Sequence, residues 1–140
     1  MSSIFKGKSS EYFVYSRLME AGFDIYPAIV DDKGIDCIIR VDENKYLDIQ
    51  IKSSSKDANQ PRNFAYISIF EPRENYFFIF QPGKENDLWI LPSSEVVKRW
   101  TLGKKVNKEG KFNITVPNLN KEKEFDQFKN EKGFELLRKL

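Results

Sequence analysis

The sequence predicts an α/β fold: a mixed β-sheet with an antiparallel hairpin at its centre and helices on its flanks. Three observations predict it. An apolar stripe at helical spacing runs from about Ser3 to Ala21 and stops at Gly22. Two short apolar runs, Asp36 to Val41 and Tyr46 to Ser53, flank the polar cluster Asp42, Glu43, Asn44 and Lys45, as in a hairpin. Three further runs, Phe64 to Phe70, Tyr76 to Gln81 and Leu88 to Leu91, are aromatic or β-branched and bounded by turn residues.

On the first helix Gly7, Glu11, Val14, Leu18 and Ala21 share the stripe, which puts Glu11 on the inward side. Gly7 costs a helix about 1 kcal/mol relative to alanine, so it is expected to admit a close neighbour, the hairpin or a phosphate backbone. Asp24 to Val30 reads as a strand that Pro27 makes an edge or an irregular one. Asp31-Asp32-Lys33-Gly34 is then a turn into the hairpin, whose second run alternates cleanly. Leu47, Ile49 and Ile51 face one way, Asp48, Gln50 and Lys52 the other. After Lys52 the serines 53–55 are expected to open a polar loop reaching Arg62. The unbroken run YFFIF is a central strand buried on both faces. Pro92-Ser93-Ser94-Glu95 starts a short helix, 103–116 reads as a basic hairpin turning at Glu109-Gly110, and a helix from about Lys121 to Lys139 closes the chain. One domain, 1–140, is the economical reading of this length.

Composition narrows the chemistry. The chain has no histidine and one cysteine, Cys37, so imidazole bases, disulfide frameworks and cysteine zinc sites within the chain are excluded. Catalysis would run on carboxylates, amides, lysines and hydroxyls. No apolar stretch approaches the ~20 residues of a membrane span, and the N-terminus lacks a signal core, so a soluble, cytoplasmic protein with no membrane partner is expected. The net charge of +2 hides an asymmetry: residues 98–140 hold twelve Lys or Arg against six Asp or Glu. A basic C-terminal third points to a polyanion such as DNA, with Lys104 and Lys105 of the second hairpin as candidate contacts beside Ser53, Ser54 and Arg62.

Folding the central hairpin brings Asp36 opposite Gln50, within one residue, and Lys52 beside them. With Glu11 from the first helix, the set offers carboxylate and amide oxygens, hard ligands suited to magnesium with manganese as a substitute, and an ammonium group to stabilise charge on a phosphate. The alternative for Glu11, Asp36 and Lys52 is a semi-buried ion network with a structural role only.

Gly7-x-x-x-Glu11 on the opening helix, Gly34-Ile35-Asp36 at the start of a strand and Gln50-Ile51-Lys52 on the next resemble the motifs of the PD-(D/E)XK nuclease superfamily. The resemblance covers roughly Gly7 to Ser53 by motif and the rest by order of elements. It implies a restriction endonuclease-like core, Mg²⁺-dependent endonucleolytic cleavage of DNA in restriction, repair or mobile-element biology, and frequently a homodimer. Asp36 and Gln50 would ligate metal, Glu11 would support or join them, and Lys52 would be the catalytic lysine. The family pattern has Asp or Glu where this chain has Gln50. That removes one negative charge from the site, for which Asp48 or Glu11 would have to compensate. The competing reading is a catalytically inactive module on the same fold that binds nucleic acid or protein.

Overall fold

The computed structural model of the chain describes residues 3–30, 33–54, 62–63, 67–68, 70–82, 86–103, 108, 111–112, 115–116 and 123–140. In chain order the elements are α1 (Ser3–Glu20), β1 (Asp24–Pro27), β2 (Cys37–Asp42), β3 (Lys45–Ser54), β4 (Arg62–Asn63), β5 (Ile67–Ser68), β6 (Tyr76–Pro82) and β7 (Trp89–Pro92). They continue with α2 (Ser93–Gly103), β8 (Lys111–Phe112), β9 (Thr115–Val116), a 3₁₀-helix (Lys123–Phe128) and α3 (Asn130–Arg138).

Helix α1 ends where its sequence says it should. Gly22 takes φ +90°, its N–H reaches Met19 O at 2.9 Å, and Phe23 N–H reaches Leu18 O at 3.0 Å. Val14 and Leu18 of the stripe are fully buried. Gly7 has open space where a Cβ would be, with nothing within 4 Å, so the hairpin does not approach it.

Five strands form one mixed sheet in the order β1-β2-β3-β6-β7, with β3 and β6 parallel and the other pairs antiparallel. Strand β1 is an edge and ends at Pro27, which has no N–H to extend the ladder. The central hairpin turns more tightly than its polar cluster suggests. Asp42 pairs with Lys45, leaving Glu43-Asn44 as the turn, and the Asp42 carboxylate accepts the Asn44 N–H at 2.8 Å. A shift in register between Arg40 and Asp42 absorbs the difference, and beyond it Cys37 pairs with Ile49.

Helices cover both faces. Leu47, Ile49, Ile51, Phe77 and Ile79 pack with Val14 and Leu18 of α1 and Phe134 and Leu137 of α3. Phe78, Phe80, Trp89 and Leu91 pack on the opposite side with Val96 of α2 and Phe125 and Phe128 of the 3₁₀-helix. Each such side chain contributes about 1.5–3 kcal/mol by leaving water.

Three expectations need correction. Ser53 and Ser54 do not open a loop: β3 continues through them, paired with Gln81 and Pro82 of β6. Parallel pairing rewards every residue that β3 extends alongside β6, and this outweighs serine's preference for turns. Lys111-Phe112 pairs antiparallel with β5 and Thr115-Val116 with β4, so these residues join the β3–β6 crossover rather than a local hairpin. Of the expected first arm and turn, 104–110, only Lys108 is among the described residues. The single C-terminal helix is broken into two. Asn130 takes φ 47° and Lys129 bridges to Trp89 on the edge strand β7. Asn130 exchanges hydrogen bonds with Leu88, its N–H donating to Leu88 O at 2.8 Å and its Oδ1 accepting from Leu88 N at 2.9 Å. The chain thereby wraps an exposed sheet edge and covers it. One straight helix would present its apolar stripe to one face only; the break lets Phe125 and Phe128 serve one face and Phe134 and Leu137 the other.

Candidate active site

The site forms where β2 and β3 part. Asp36 stands just ahead of β2 and is 5% exposed. Its backbone is pinned on both sides, its N–H donating to Ile49 O at 2.8 Å and its carbonyl accepting from Ala28 N at 2.9 Å and Tyr15 Oη at 3.1 Å. Its side chain then takes over the ladder: Oδ2 accepts the Ile51 N–H at 2.6 Å. A charge-assisted bond of this kind contributes about 1.5–3 kcal/mol. It also fixes the carboxylate against the strand that carries Gln50 and Lys52.

Gln50 is 8% exposed. Its amide lies 2.7 Å from Tyr76 Oη and 3.3 Å from Gly34 O on one side, and 3.1 Å from Lys52 Nζ on the other. Chemistry decides which way the amide points. With its nitrogen toward Gly34 O and Tyr76 Oη, and its oxygen accepting from Lys52 Nζ, every contact joins a donor to an acceptor; the reverse keeps a bond from the Tyr76 hydroxyl at 2.7 Å but sets the amide oxygen against Gly34 O and its nitrogen against Lys52 Nζ. Tyr76 completes the arrangement by donating its one hydroxyl proton to Gly34 O at 2.9 Å. Gly34 makes the close approach possible. It takes φ +71°, and a Cβ there would stand 3.2 Å from both the Gln50 amide and the Tyr76 hydroxyl.

Glu11 lies on the same side of α1 as Tyr15 but is engaged by Lys8 Nζ at 3.0 Å. That contact, the largest influence on Lys8, raises the lysine's pKa, with a smaller contribution from Asp36. Burial pushes the Cys37 thiol up to about 12, and the charges of Asp36 and Glu11 add to it, so both carboxylates act on one small region. The Tyr15 hydroxyl is raised in the same way, by burial first and then by Cys37, Glu11 and Asp36.

Of the residues singled out in the sequence, the fold thus brings Asp36, Gln50 and Lys52 together with Glu11 at the margin. Asp48 is not available to compensate for Gln50, because Arg73 holds it at 2.8 Å. Ser53 and Ser54 follow Lys52 on β3 and are half-buried. Arg62 lies in β4, while Lys104, Lys105, Asp31 and Asp32 lie outside the described residues. Among the described residues no three His, Cys, Asp or Glu groups cluster as a metal site. The donors at hand are two carboxylates and an amide oxygen, all hard, and of the type that takes magnesium with much of its shell left to water and phosphate. Tyr76 is the site residue that sequence reasoning missed. No spacing signals a contact between residues 26 apart on strands joined by a crossover. The open groove bounded by Gly22, Asp24, Arg40, Asp42 and Arg138 lies at the opposite, turn end of the hairpin and adds nothing to the site.

Within the described residues no helix is long and apolar enough to cross a membrane. No protein-family model and no curated protein matches the sequence. Among solved structures, the bacterial homing endonuclease I-Ssp6803I is similar in fold, with a TM-score of 0.64 over 99% of this chain and 92% of that one at 14% identity. The chain has a nuclease-like α/β fold, a five-stranded mixed sheet flanked by helices.

Proposed function

We propose that this protein is a PD-(D/E)XK-type endonuclease that hydrolyses DNA phosphodiester bonds with Mg²⁺ or Mn²⁺. One observation carries the reading: just ahead of β2 the Asp36 carboxylate accepts the N–H of Ile51, the residue between Gln50 and Lys52, whose side chains meet on β3. The fold shared with a homing endonuclease supports it.

Asp36 and the Gln50 amide oxygen would hold the cation, with Glu11 beside them once Lys8 gives way. The ion would polarise the scissile phosphate and lower the pKa of a nearby water. Lys52 stands next to Gln50, placed to stabilise the negative charge that grows on the phosphoryl oxygens as water attacks. In the net reaction a water oxygen bonds to phosphorus, one phosphorus–oxygen ester bond breaks, and the water proton ends on the leaving alkoxide. Asp36 keeps its geometry throughout because Ile51 N–H anchors one oxygen.

The test is cleavage of plasmid and branched DNA by the purified protein with either cation, beside Lys52→Ala and Asp36→Ala. Cutting by the parent and by neither variant, with both folded, is expected. A parent that cuts no substrate while binding DNA with steep salt dependence would overturn the reading in favour of an inactive DNA-binding module. A specific observation favours that second reading: position 50 is neutral, and among the described residues only two carboxylates serve the site.

A further inference from the structure

Gln50 occupies the position where the resembled family carries an acid, and its surroundings account for the amide. Two oxygens meet it, and both are fixed. Gly34 O belongs to a left-handed turn, φ +71°, in which no other residue fits without strain. Tyr76 Oη is carried on a ring packed against Phe70 at 5.5 Å and Phe78 at 5.0 Å, with the Arg73 guanidinium 4.4 Å above it. Tyr76 has one hydroxyl proton for these neighbours. When it goes to Gly34 O, the phenol oxygen needs a donor, and the Gln50 amide nitrogen supplies that hydrogen at 2.7 Å and another toward Gly34 O at 3.3 Å.

A carboxylate of the same shape would meet this pair with no proton of its own. The tyrosine proton would then go to the carboxylate and the Lys52 ammonium would pair with its charge, leaving the half-buried Gly34 O without a hydrogen and facing another oxygen. The amide has a consequence at its other end too. Its oxygen holds the Lys52 ammonium at 3.1 Å by a neutral hydrogen bond, which orients the lysine without cancelling its charge.

We propose that Gly34 O and Tyr76 Oη form an acceptor cradle that selects a carboxamide over an acid at position 50, with Tyr76 the positioning residue that turns the amide oxygen toward Lys52. The use made of that oxygen rests on the endonuclease reading; the cradle itself does not.

The experiment uses the full chain and three variants: Tyr76→Phe, Gln50→Glu and Gln50→Met. Thermal midpoints without metal, hydrogen exchange of the Gln50 side-chain amide by ¹⁵N NMR, and Mn²⁺ binding by calorimetry in the absence of DNA are read in parallel. The parent is expected to be more stable than Gln50→Met and Gln50→Glu alike, because either change removes the hydrogens that the amide nitrogen gives to Gly34 O and Tyr76 Oη. Tyr76→Phe is expected to keep the far-UV spectrum, speed exchange of the Gln50 amide, and weaken Mn²⁺ binding about 10–100-fold, the usual effect of losing an outer-shell partner. A Gln50→Glu protein as stable as the parent, or unchanged amide exchange in Tyr76→Phe, would overturn the proposal. If neither position-50 variant folds, the Tyr76→Phe exchange rate decides alone. A parent that binds no Mn²⁺ yet shows the expected stability order and exchange would retain the cradle and overturn the metal-dependent reading.

Discussion

Asp48 and Gln50 stand two residues apart on β3, on the same face, and are held by opposite means. Asp48 is a charge answered by a charge, the Arg73 guanidinium at 2.8 Å, with Arg73 itself 45% exposed. Gln50 is a dipole answered by dipoles in a nearly closed setting, the Gly34 carbonyl and the Tyr76 hydroxyl. Asp48 meets only a donor, the Arg73 guanidinium, whereas Gln50 lies between the Gly34 carbonyl on one side and the Lys52 ammonium on the other, a setting that an amide satisfies at both ends. Negative charge at the candidate site is therefore left, among the described residues, to Asp36 and Glu11.

Removing the charge that the amide holds should have the largest effect. Lys52→Ala is expected to lower DNA cleavage by at least ~10²-fold with a thermal midpoint close to the parent's, since it deletes an electrostatic partner of the transition state. Asp36→Ala should lose cleavage and also about 1–3 kcal/mol of stability in denaturant titration, because the buried Ile51 N–H loses its acceptor. A purely structural ion network would instead make Lys52→Ala markedly unstable.

Two glycines sharpen the comparison between the site and the body. Gly34→Ala should cost about 1–3 kcal/mol through its left-handed backbone and push the Gln50 amide out of register, reducing cleavage in the folded protein. At Gly133 a Cβ would run into Phe128 O and stand 2.9 Å from Ile90 Cδ1, so Gly133→Ala should cost about as much or more by overpacking. Its remaining folded fraction should cleave at the parent's specific rate, because the clash lies under α3, away from Asp36 and Lys52. Breaking the other half of the β3 pair should do least. Asp48→Asn is expected to cost under ~1 kcal/mol, as for other solvent-screened pairs, and to leave cleavage unchanged. Cys37, buried with its pKa pushed up to about 12, should resist alkylation in the native protein at pH 8 and react only on unfolding.

The N-terminal half was legible because its signals are local. The α1 stripe, the Gly22 stop and the alternation of β3 each lie within one element, and they led to the right faces and, within one residue, the right register. Residues after Ser53 were read less well. The Lys121–Lys139 segment has helical composition throughout, yet it breaks at Asn130 because the β7 edge and two separate cores compete for its aromatic residues. The two-residue strands β4, β5, β8 and β9 have no periodicity to read, and each is defined only by a partner more than forty residues away.

By itself, then, the sequence determined the available chemistry. With no histidine and a single cysteine it left carboxylates, amides and lysines, and it placed Asp36, Gln50 and Lys52 on one hairpin. The tertiary structure alone decided what surrounds them: that Asp48 belongs to Arg73, that Tyr76 reaches Gln50 across the parallel β3–β6 pairing, and that the amide oxygen points to Lys52. The physical reason is range. Side-chain periodicity tells which way a residue faces within its own element, but a hydrogen-bond partner is chosen by which distant segment the closed chain brings alongside, and that depends on the packing of the whole sheet.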